Sequence, residues 1–269
     1  MFRNDDRVAT VWTERVRIRA SEADPTRRAT PLALCDIMQE AAGNHAWALG
    51  VALDQIVEAH RETWMLYRLA LRLYDAPRWR DEVTVETWPC GVERIYAVRD
   101  FRISDLAGET LAEASTTWLV VDLESRRPSR EPRTPMGWKA DRPRALPDAF
   151  QRRLPTLSEE AHARTFEVRR GDIDLNGHVN HVHMLGWVFD ALPDARFDGA
   201  RVVSLDAEFV AEALQGESVR SACAPEGDGS TWLHAVTRPA DGRLLLKART
   251  GWSSPRAVPH SPVEEDRGA

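Results

Sequence analysis

The chain has 269 residues, of which 43% are hydrophobic and 29% are charged, and its net charge is −6 at neutral pH. This length suffices for two small domains, and the acidic balance argues against a protein that binds nucleic acid along its surface. The three cysteines are widely spaced and form no CxxC pair, so we expect neither a disulfide framework nor a zinc knuckle. Because no apolar leader and no membrane-spanning apolar run occurs, we expect a cytoplasmic protein.

The first part of the chain predicts a strand, a long helix and four further strands. A strand near residues 16–20 leads toward a helix predicted over residues 31–50. Thr30 and Pro31 supply its N-cap and a first-turn proline, and apolar residues then recur at helical spacing. Strand-like runs follow at residues 63–74, 81–88, 96–104 and 110–123.

A run dense in Pro and Arg, without periodicity, occupies residues 126–162. Such a composition predicts an extended linker that crosses the protein surface. Beyond it the chain repeats itself. Residues 166–174 have the acid spacing of residues 16–24, and a later match pairs residues 245–252 with residues 111–118.

The second unit has the same predicted order as the first. A helix over residues 178–192 precedes strand-like runs at residues 200–210, 217–224, 231–238 and 243–252. A sheet with one apolar face needs one helix to cover it, so each unit predicts a long central helix wrapped by an antiparallel sheet. We therefore expect an α+β fold, the double hotdog. Its parts are an N-terminal hotdog at 8–125, a linker at 126–162, a C-terminal hotdog at 163–253 and a disordered tail at 254–269.

Polar side chains are concentrated where the second helix begins. Asp174, Asn176 and His178 lie there, whereas the first copy has Thr26 and Arg28 in place of the Asn and the His. A helix N-terminus stabilises a carbonyl oxygen that gains negative charge. The second unit is therefore predicted to carry the chemistry. The alternative is that these are only turn and capping residues.

A general base is expected on the strand that follows the second helix. Glu208 and Glu212 are both candidates, and an apolar neighbour could raise the pKa of either carboxyl toward a useful value. Alignment of the two units places Pro77 opposite Glu212. This acid too is therefore expected in the second unit only.

Other catalytic chemistries have little support in the sequence. The spacing of His178, His181 and His183 is poor for a metal site, because no i, i+4 pair is present. No phosphate-binding loop or serine-nucleophile elbow occurs, and no cysteine lies in the polar cluster. We expect neither a metal nor a cofactor.

Three segments resemble motifs of the acyl-ACP thioesterases of plants and bacteria. Residues 172–181, followed by Gly186-Trp187, resemble the family's DLDxNxHVNN segment and its GW pair. Residues 38–45 resemble its LQETAxNH helix, and residues 79–88 resemble its WGDxVxVETW strand. The resemblance covers nearly the whole chain that is expected to be ordered.

The resemblance implies a catalytic set of Asp174, Asn176, His178 and Glu212. Ala213 stands where plant members commonly carry Cys, which fits direct activation of water. The implied reaction is hydrolysis of fatty acyl-acyl carrier protein to a free fatty acid, which terminates fatty acid elongation. Glu212 would draw a proton from water while Asn176 and His178 position the water or the carbonyl and Asp174 orients them. In a rival scheme Asp174 attacks as a nucleophile.

The resemblance also implies an acyl tunnel in the first unit and a basic docking surface for the acidic acyl carrier protein. The tunnel candidates are Trp47, Leu49, Met65, Tyr67 and Leu69. The docking candidates are Arg126, Arg127, Arg130 and Arg133. The alternative is that the first set is core and the second is solvated linker charge. The protein is expected to be a monomer or a homodimer.

Other functions on the same fold stay open on sequence alone. An acyl-CoA thioesterase is the nearest competitor, and no residue excludes it. A non-catalytic acyl-thioester-binding hotdog protein would need no acid near the helix start, so Glu212 speaks against it. A hydratase or dehydratase is disfavoured by the matches to the helix-start, GW and VETW motifs.

Overall fold

The computed structural model describes residues 10–254, so nearly all of the predicted disordered tail lies outside the described residues. The first half contains two helices and five long strands. These are β1 (Trp12–Arg17), α1 (Pro31–Ala48), α2 (Leu53–His60), β2 (Glu62–Leu73), β3 (Glu82–Glu93), β4 (Tyr96–Ser104) and β5 (Thr110–Asp122).

The second half repeats this order with one long helix. A two-residue strand, β6 (Arg127–Pro128), opens the connection between the halves. The elements that follow are β7 (His162–Glu167), α3 (His181–Asp190), β8 (Val202–Phe209), β9 (Ser218–Glu226), β10 (Thr231–Arg238) and β11 (Arg243–Trp252). Short 3-10 turns precede α1 and α3 at corresponding places, Ala20–Glu22 and Arg170–Asp172.

All the strands belong to one antiparallel sheet. Its order is β1-β3-β4-β5-β2-β8-β11-β10-β9-β7, with β6 paired to β5. The first five strands and the last five follow the same order from opposite edges, and the two halves meet where β2 pairs with β8. Helices α1 and α3 contact the sheet and each other. The predicted double hotdog is confirmed.

Side-chain caps begin both central helices. The Thr30 hydroxyl accepts the Ala33 backbone N–H at 3.1 Å, and Pro31 occupies the first turn, as predicted. At the start of α3, Asn180 Oδ1 accepts the Val182 N–H at 2.8 Å. The helix that was predicted over residues 178–192 is α3, and it begins at His181, three residues later than expected. Asn176 and His178 consequently lie in the turn before the helix.

Helix α2 was not expected from the sequence. It is eight residues long, and only Ile56 is buried on its inner side. A helix this short presents too few apolar positions for a periodic signal. It leads directly into β2, so it fixes where that strand begins.

Several charged and polar side chains of the segment 126–162 bind to the first half. Arg142 makes two hydrogen bonds to the Glu86 carboxylate, at 2.8 and 2.9 Å. Arg144 Nε donates to the buried Asp100 at 2.9 Å, and the Thr134 N–H and hydroxyl both donate to Glu62. Buried carboxylates need such partners. The arginine-rich composition therefore secures this segment to the first half.

No helix within residues 10–254 is long and apolar enough to cross a membrane.

Candidate active site

A tight turn immediately before α3 brings the predicted residues together. The Asp174 N–H donates to His178 O at 2.9 Å, and the Gly177 N–H donates to Asp174 O at 3.0 Å. Gly177 has φ +77°, a left-handed conformation that glycine adopts without strain. The Val179 N–H donates to Ala213 O at 3.0 Å. This bond ties the turn to the segment that carries Glu212.

Asp174 holds Asn176 in place. Its Oδ1 accepts the Asn176 backbone N–H at 2.8 Å, and its Oδ2 accepts the Asn176 side-chain Nδ2–H at 3.4 Å. From the other half, the Thr63 hydroxyl donates to Asn176 Oδ1 at 3.3 Å. The Asn176 carboxamide is therefore oriented at both ends. The sequence did not indicate a role for Thr63, because a threonine near a strand end is no different in pattern from an ordinary strand residue.

His178 lies against Glu212. His178 Nε2 is 3.1 Å from Glu212 Oε2, and the two side chains are 27% and 43% exposed. A carboxylate and an imidazole at this distance can share or relay a proton, and both are open to solvent water. The structure thus places the four predicted residues in two contacting pairs on adjoining segments.

Arg126 reaches the same carboxylate oxygen. Its Nη2 donates to Glu212 Oε2 at 2.8 Å. Arg126 lies in the turn after β5, where Asp122 Oδ1 accepts the Ser125 N–H and Asp122 O accepts the Arg126 N–H. The sequence had assigned this arginine to carrier docking. In the structure it fixes the direction of the Glu212 carboxylate from the first half.

The other candidate base, Glu208, is buried in β8 between two cations. Its Oε1 lies 3.2 Å from Lys247 Nζ, and its Oε2 lies 3.9 Å from Arg68 Nε. These cations in turn donate to backbone carbonyls of linker residues 150–154. Glu208 therefore belongs to a buried ionic cluster, and Glu212 is the acid that meets His178.

The equivalent place in the first half holds a different cluster. Asp24 Oδ1 accepts the Thr26 N–H and hydroxyl at 2.8 and 2.7 Å, as Asp174 holds Asn176. Arg28 replaces the histidine, and its guanidinium donates to Asp75 at 2.6 Å. An imidazole is thus absent from this part of the described chain. The repeat retains the turn without the acid–base pair.

The backbone register corrects one alignment between the halves. The Ala29 N–H donates to Pro77 O, just as the Val179 N–H donates to Ala213 O. Pro77 is therefore the counterpart of Ala213, and Ala76 is the counterpart of Glu212. The alignment by sequence was wrong by one residue. The position opposite the glutamate still has no carboxylate.

A small cavity of about 20 Å³ lies beside α1 and the first residue of α3. Three polar side chains line it, namely Gln39, Thr116 and His181. The rest of its lining is Cys35, Met38, Leu66, Leu69, Phe101 and Trp118.

Among the five residues proposed for the acyl tunnel, Leu69 lines this cavity and the others do not. Trp47 is 64% exposed at the end of α1. A bulge between Leu66 and Arg68 breaks the alternation of β2, so Leu66 and Leu69 share the inner face. Tyr67 stacks instead on Tyr96, with ring centroids 5.1 Å apart. A strand without a bulge would have placed residues 65, 67 and 69 on one face.

The four docking arginines differ in their partners. Arg133 lies 3.8 Å from Glu62 and 3.7 Å from Asp122, and Arg126 pairs with Glu212 as described above. Arg127 and Arg130 are exposed, and within residues 10–254 they form no ion pair. These two guanidinium groups are free to meet an external partner.

The cysteines are poor candidates for nucleophiles. All three are free thiols, and burial raises the pKa of Cys35 and of Cys90 to about 12 and that of Cys223 to about 11. A thiolate is the reactive form of cysteine, so these groups are inert at neutral pH. The described residues also contain no group of three or more His, Cys, Asp or Glu side chains able to hold a metal ion.

The fold and this site together define a double-hotdog protein with a carboxylate–imidazole pair beside a carboxamide held by an aspartate. Residues 9–133 match the acyl-ACP thioesterase N-terminal domain, and residues 156–254 match the acyl-ACP thioesterase C-terminal domain. The chain belongs to the acyl-ACP thioesterase family.

Two plant proteins show the same relationship. The chain is 27% identical to the chloroplastic oleoyl-acyl carrier protein thioesterase of Coriandrum sativum, over 84% of this chain and 65% of that protein. It is 28% identical to the palmitoyl-acyl carrier protein thioesterase of Cuphea hookeriana, over 92% of this chain and 63% of that protein. The chain thus spans a little under two thirds of the length of these two relatives.

Solved structures share the fold. The 12:0-ACP thioesterase from Umbellularia californica superposes with a TM-score of 0.82 and 27% identity, covering 91% of this chain and 94% of that one. An acyl-ACP thioesterase from Bacteroides thetaiotaomicron gives a TM-score of 0.81 at 23% identity, covering 91% and 98% of the two chains. The second likeness supports the fold alone.

Proposed function

We propose that this protein hydrolyses the thioester of fatty acyl-acyl carrier protein and releases a free fatty acid. The observation that carries the proposal is the contact between His178 and Glu212, 3.1 Å apart beside the carboxamide of Asn176. The relatives from Coriandrum sativum and Cuphea hookeriana are both named as acyl carrier protein thioesterases, which supports the same substrate class here.

In the proposed mechanism, Glu212 accepts a proton from water as the water oxygen attacks the thioester carbonyl carbon. The negative charge that develops on the carbonyl oxygen is stabilised by N–H donors, for which Asn176 Nδ2 and backbone groups near the start of α3 are placed. The carbon–sulfur bond then breaks, and the thiolate that leaves takes up a proton, which His178 can relay from Glu212.

Asp174 acts in this scheme as a positioning residue. Both of its carboxylate oxygens already accept hydrogen bonds from Asn176. These bonds tie the Asp174 carboxylate to Asn176, whereas Glu212 contacts an imidazole that can relay a proton. The contact with His178 therefore favours general-base catalysis by Glu212 over an acyl-anhydride route through Asp174.

The acyl chain is proposed to enter the first half through the cavity between α1 and the sheet. That cavity has room for about one water molecule. Flexible side chains such as Met38 would therefore have to move aside for a longer chain. The reaction uses water and side chains alone, so the proposal includes no cofactor. Free thiols at all three cysteines support a reducing compartment such as the cytoplasm.

The direct test is hydrolysis by the purified wild-type protein. A panel of acyl-ACPs and matched acyl-CoAs, varied in chain length, is incubated with the enzyme, and free fatty acid is measured. Hydrolysis with a higher kcat/KM on acyl-ACP supports the proposal. A higher kcat/KM on acyl-CoA would identify the protein as an acyl-CoA thioesterase. Binding of the acyl compounds without any hydrolysis would identify it as a non-catalytic acyl-binding protein.

Carrier docking is proposed to involve the unpaired Arg127 and Arg130. Replacing both with glutamate should raise KM for acyl-ACP by about tenfold and leave KM for acyl-CoA unchanged, because like charges would then face the acidic carrier. Arg78→Glu is the control. This exposed arginine follows the C-terminal end of β2, whereas Arg127 lies near the N-terminal end of that strand. An equal rise in KM for both substrates would contradict the docking role.

Thr63 is expected to contribute modestly to catalysis. Thr63→Val removes the hydroxyl that donates to Asn176, while valine suits a strand position. Losing one hydrogen bond of about 1 kcal/mol should lower kcat/KM by about fivefold. Thr26→Val removes a hydroxyl that donates to Asp24 in the corresponding turn of the first half, and it should leave kcat/KM unchanged. Equal effects of the two variants would show that Thr63 acts only through stability.

A further inference from the structure

The cavity beside α1 contains polar atoms that the protein leaves without partners. Gln39 Oε1 is fully shielded from solvent and accepts no hydrogen bond. The His181 ring packs edge-on against Trp118 and Phe209, with centroid distances of 6.4 and 5.8 Å. Within residues 10–254 no hydrogen bond reaches its nitrogens. Both side chains line the same small space.

His181 is neutral in this environment. Burial lowers the pKa of its imidazole to about 4, so at neutral pH one ring nitrogen donates and the other accepts. Gln39 Oε1 can only accept. The third polar side chain, Thr116, is already paired, since its hydroxyl donates to Arg99 O and accepts from Trp118 Nε1. The cavity therefore offers one unpaired acceptor and one donor–acceptor group, beside the apolar ring of Phe101.

Leaving Gln39 Oε1 unpaired in an apolar space is unfavourable, so a ligand group that donates to it and also bonds to the His181 ring would be selected. A hydroxyl group can donate its hydrogen to Gln39 Oε1 and accept the N–H of His181. A keto oxygen can only accept, so it would leave Gln39 Oε1 unpaired. A methylene group would leave both unpaired. The chemistry of the cavity thus matches a hydroxyl best.

The position of the cavity indicates which part of a substrate would reach it. His181, which lines the cavity, is the first residue of α3 and follows His178 by three residues, so this wall of the cavity is close along the chain to the proposed catalytic histidine. Its volume of about 20 Å³ suits a single small polar group. A group held there would be attached close to the thioester end of an acyl chain.

We propose that Gln39 and His181 form a polar subsite that selects acyl chains bearing a hydroxyl group near the thioester carbon. The proposal rests on the proposed function for the orientation of the chain. His181 stands where the resembled motif has asparagine, so the ring is a particular feature of this sequence.

The test measures binding, which does not require hydrolysis. Free fatty acids of one chain length are titrated into the full-length protein by calorimetry: the unsubstituted acid, its 2-, 3- and 4-hydroxy forms and its 3-oxo form. One of the hydroxy acids should bind about tenfold more tightly than the unsubstituted acid, with the 3-oxo acid weaker than the hydroxy acid.

Two variants assign this preference to the subsite. Gln39→Leu keeps the side-chain length, and His181→Phe keeps a ring between Trp118 and Phe209. Each should reduce the preference to within about twofold while the unsubstituted acid binds at least as tightly. Cys35→Ala, a change in the apolar lining, is the control and should retain the preference. Circular dichroism and thermal melting verify that each variant is folded.

The outcomes separate the subsite from the reaction. Tighter binding of a hydroxy acid, lost in both variants, supports the subsite even if no thioester is hydrolysed. Equal binding of all the acids by the wild-type protein overturns it even if acyl-ACP is hydrolysed, because the cavity then holds only water. A preference that survives in both variants, or no binding of any acid, overturns it as well.

Discussion

Glu212→Gln is expected to lower kcat for acyl-ACP hydrolysis by about 10²–10⁴-fold, the range that a general base contributes. Glutamine has nearly the same shape as glutamate but cannot accept the proton of the attacking water. KM should change little, because the contacts that hold the acyl chain lie elsewhere. Steady-state kinetics on the best acyl-ACP, with active-site concentration verified, gives both constants.

Glu160→Gln is the matched control for this experiment. Glu160 is also a half-exposed glutamate, near the end of the linker, and it too accepts from an arginine, Arg220 of β9, at 2.6 Å. It lies outside the catalytic turn, so its replacement should leave kcat unchanged. Activity within about threefold of wild type in Glu212→Gln would remove this residue as the base and return Asp174 to consideration as the nucleophile.

Glu208→Leu is expected to destabilise the fold by about 3–5 kcal/mol, the usual effect of removing one partner from a buried ionic cluster. Arg68 and Lys247 would keep their charges beside β8 without the carboxylate that offsets them. Chemical denaturation measures the free energy of unfolding. A double variant with Arg68→Leu should recover part of the loss, because fewer unpaired charges then remain buried.

Glu226→Gln shows what an ordinary surface pair contributes in the same half. Glu226 accepts from Arg249 at 2.7 Å, and both side chains are well exposed. Its loss should change the free energy of unfolding by less than about 1 kcal/mol. If Glu208→Leu were equally mild, the buried cluster would not stabilise the junction of the halves, and the linker carbonyls alone would satisfy the two cations.

Much of the fold could be predicted because the sequence is repeated. The cap and first-turn proline of α1 predicted its beginning correctly, and its end was within two residues of Ala48. The tandem arrangement followed from matching segments rather than from any single strand. Helix α2 is short and gives no periodic signal, so only the structure reveals it.

The candidate site could be predicted as a set of residues, but not in its contacts. Asp174, Asn176, His178 and Glu212 were chosen from one motif and one strand. Their division into two pairs depends on a turn whose register is set by backbone hydrogen bonds. The contribution of Thr63 depends on how the halves pack against each other. A linear sequence does not contain this information directly.

The acyl-tunnel residues show a different limit. The candidates on β2 came from a resemblance, which does not show which face of the strand each side chain occupies, and a bulge after Leu66 changes the face. A bulge moves every later side chain to the opposite face of a strand. It leaves no clear mark in the residue pattern. For similar reasons the sequence could not show that Arg126 turns toward Glu212 while Arg127 remains free.

The pairing of β2 with β8 makes the two halves parts of a single molecule with one sheet. In an assembly of two identical chains, every substitution would appear at both copies of the site. A tandem chain has no such restriction, because each half has its own coding segment. The first half can thus hold Arg28 at the place where the second half holds His178. Each half of the tandem chain can therefore carry its own set of side chains in the turn before its central helix.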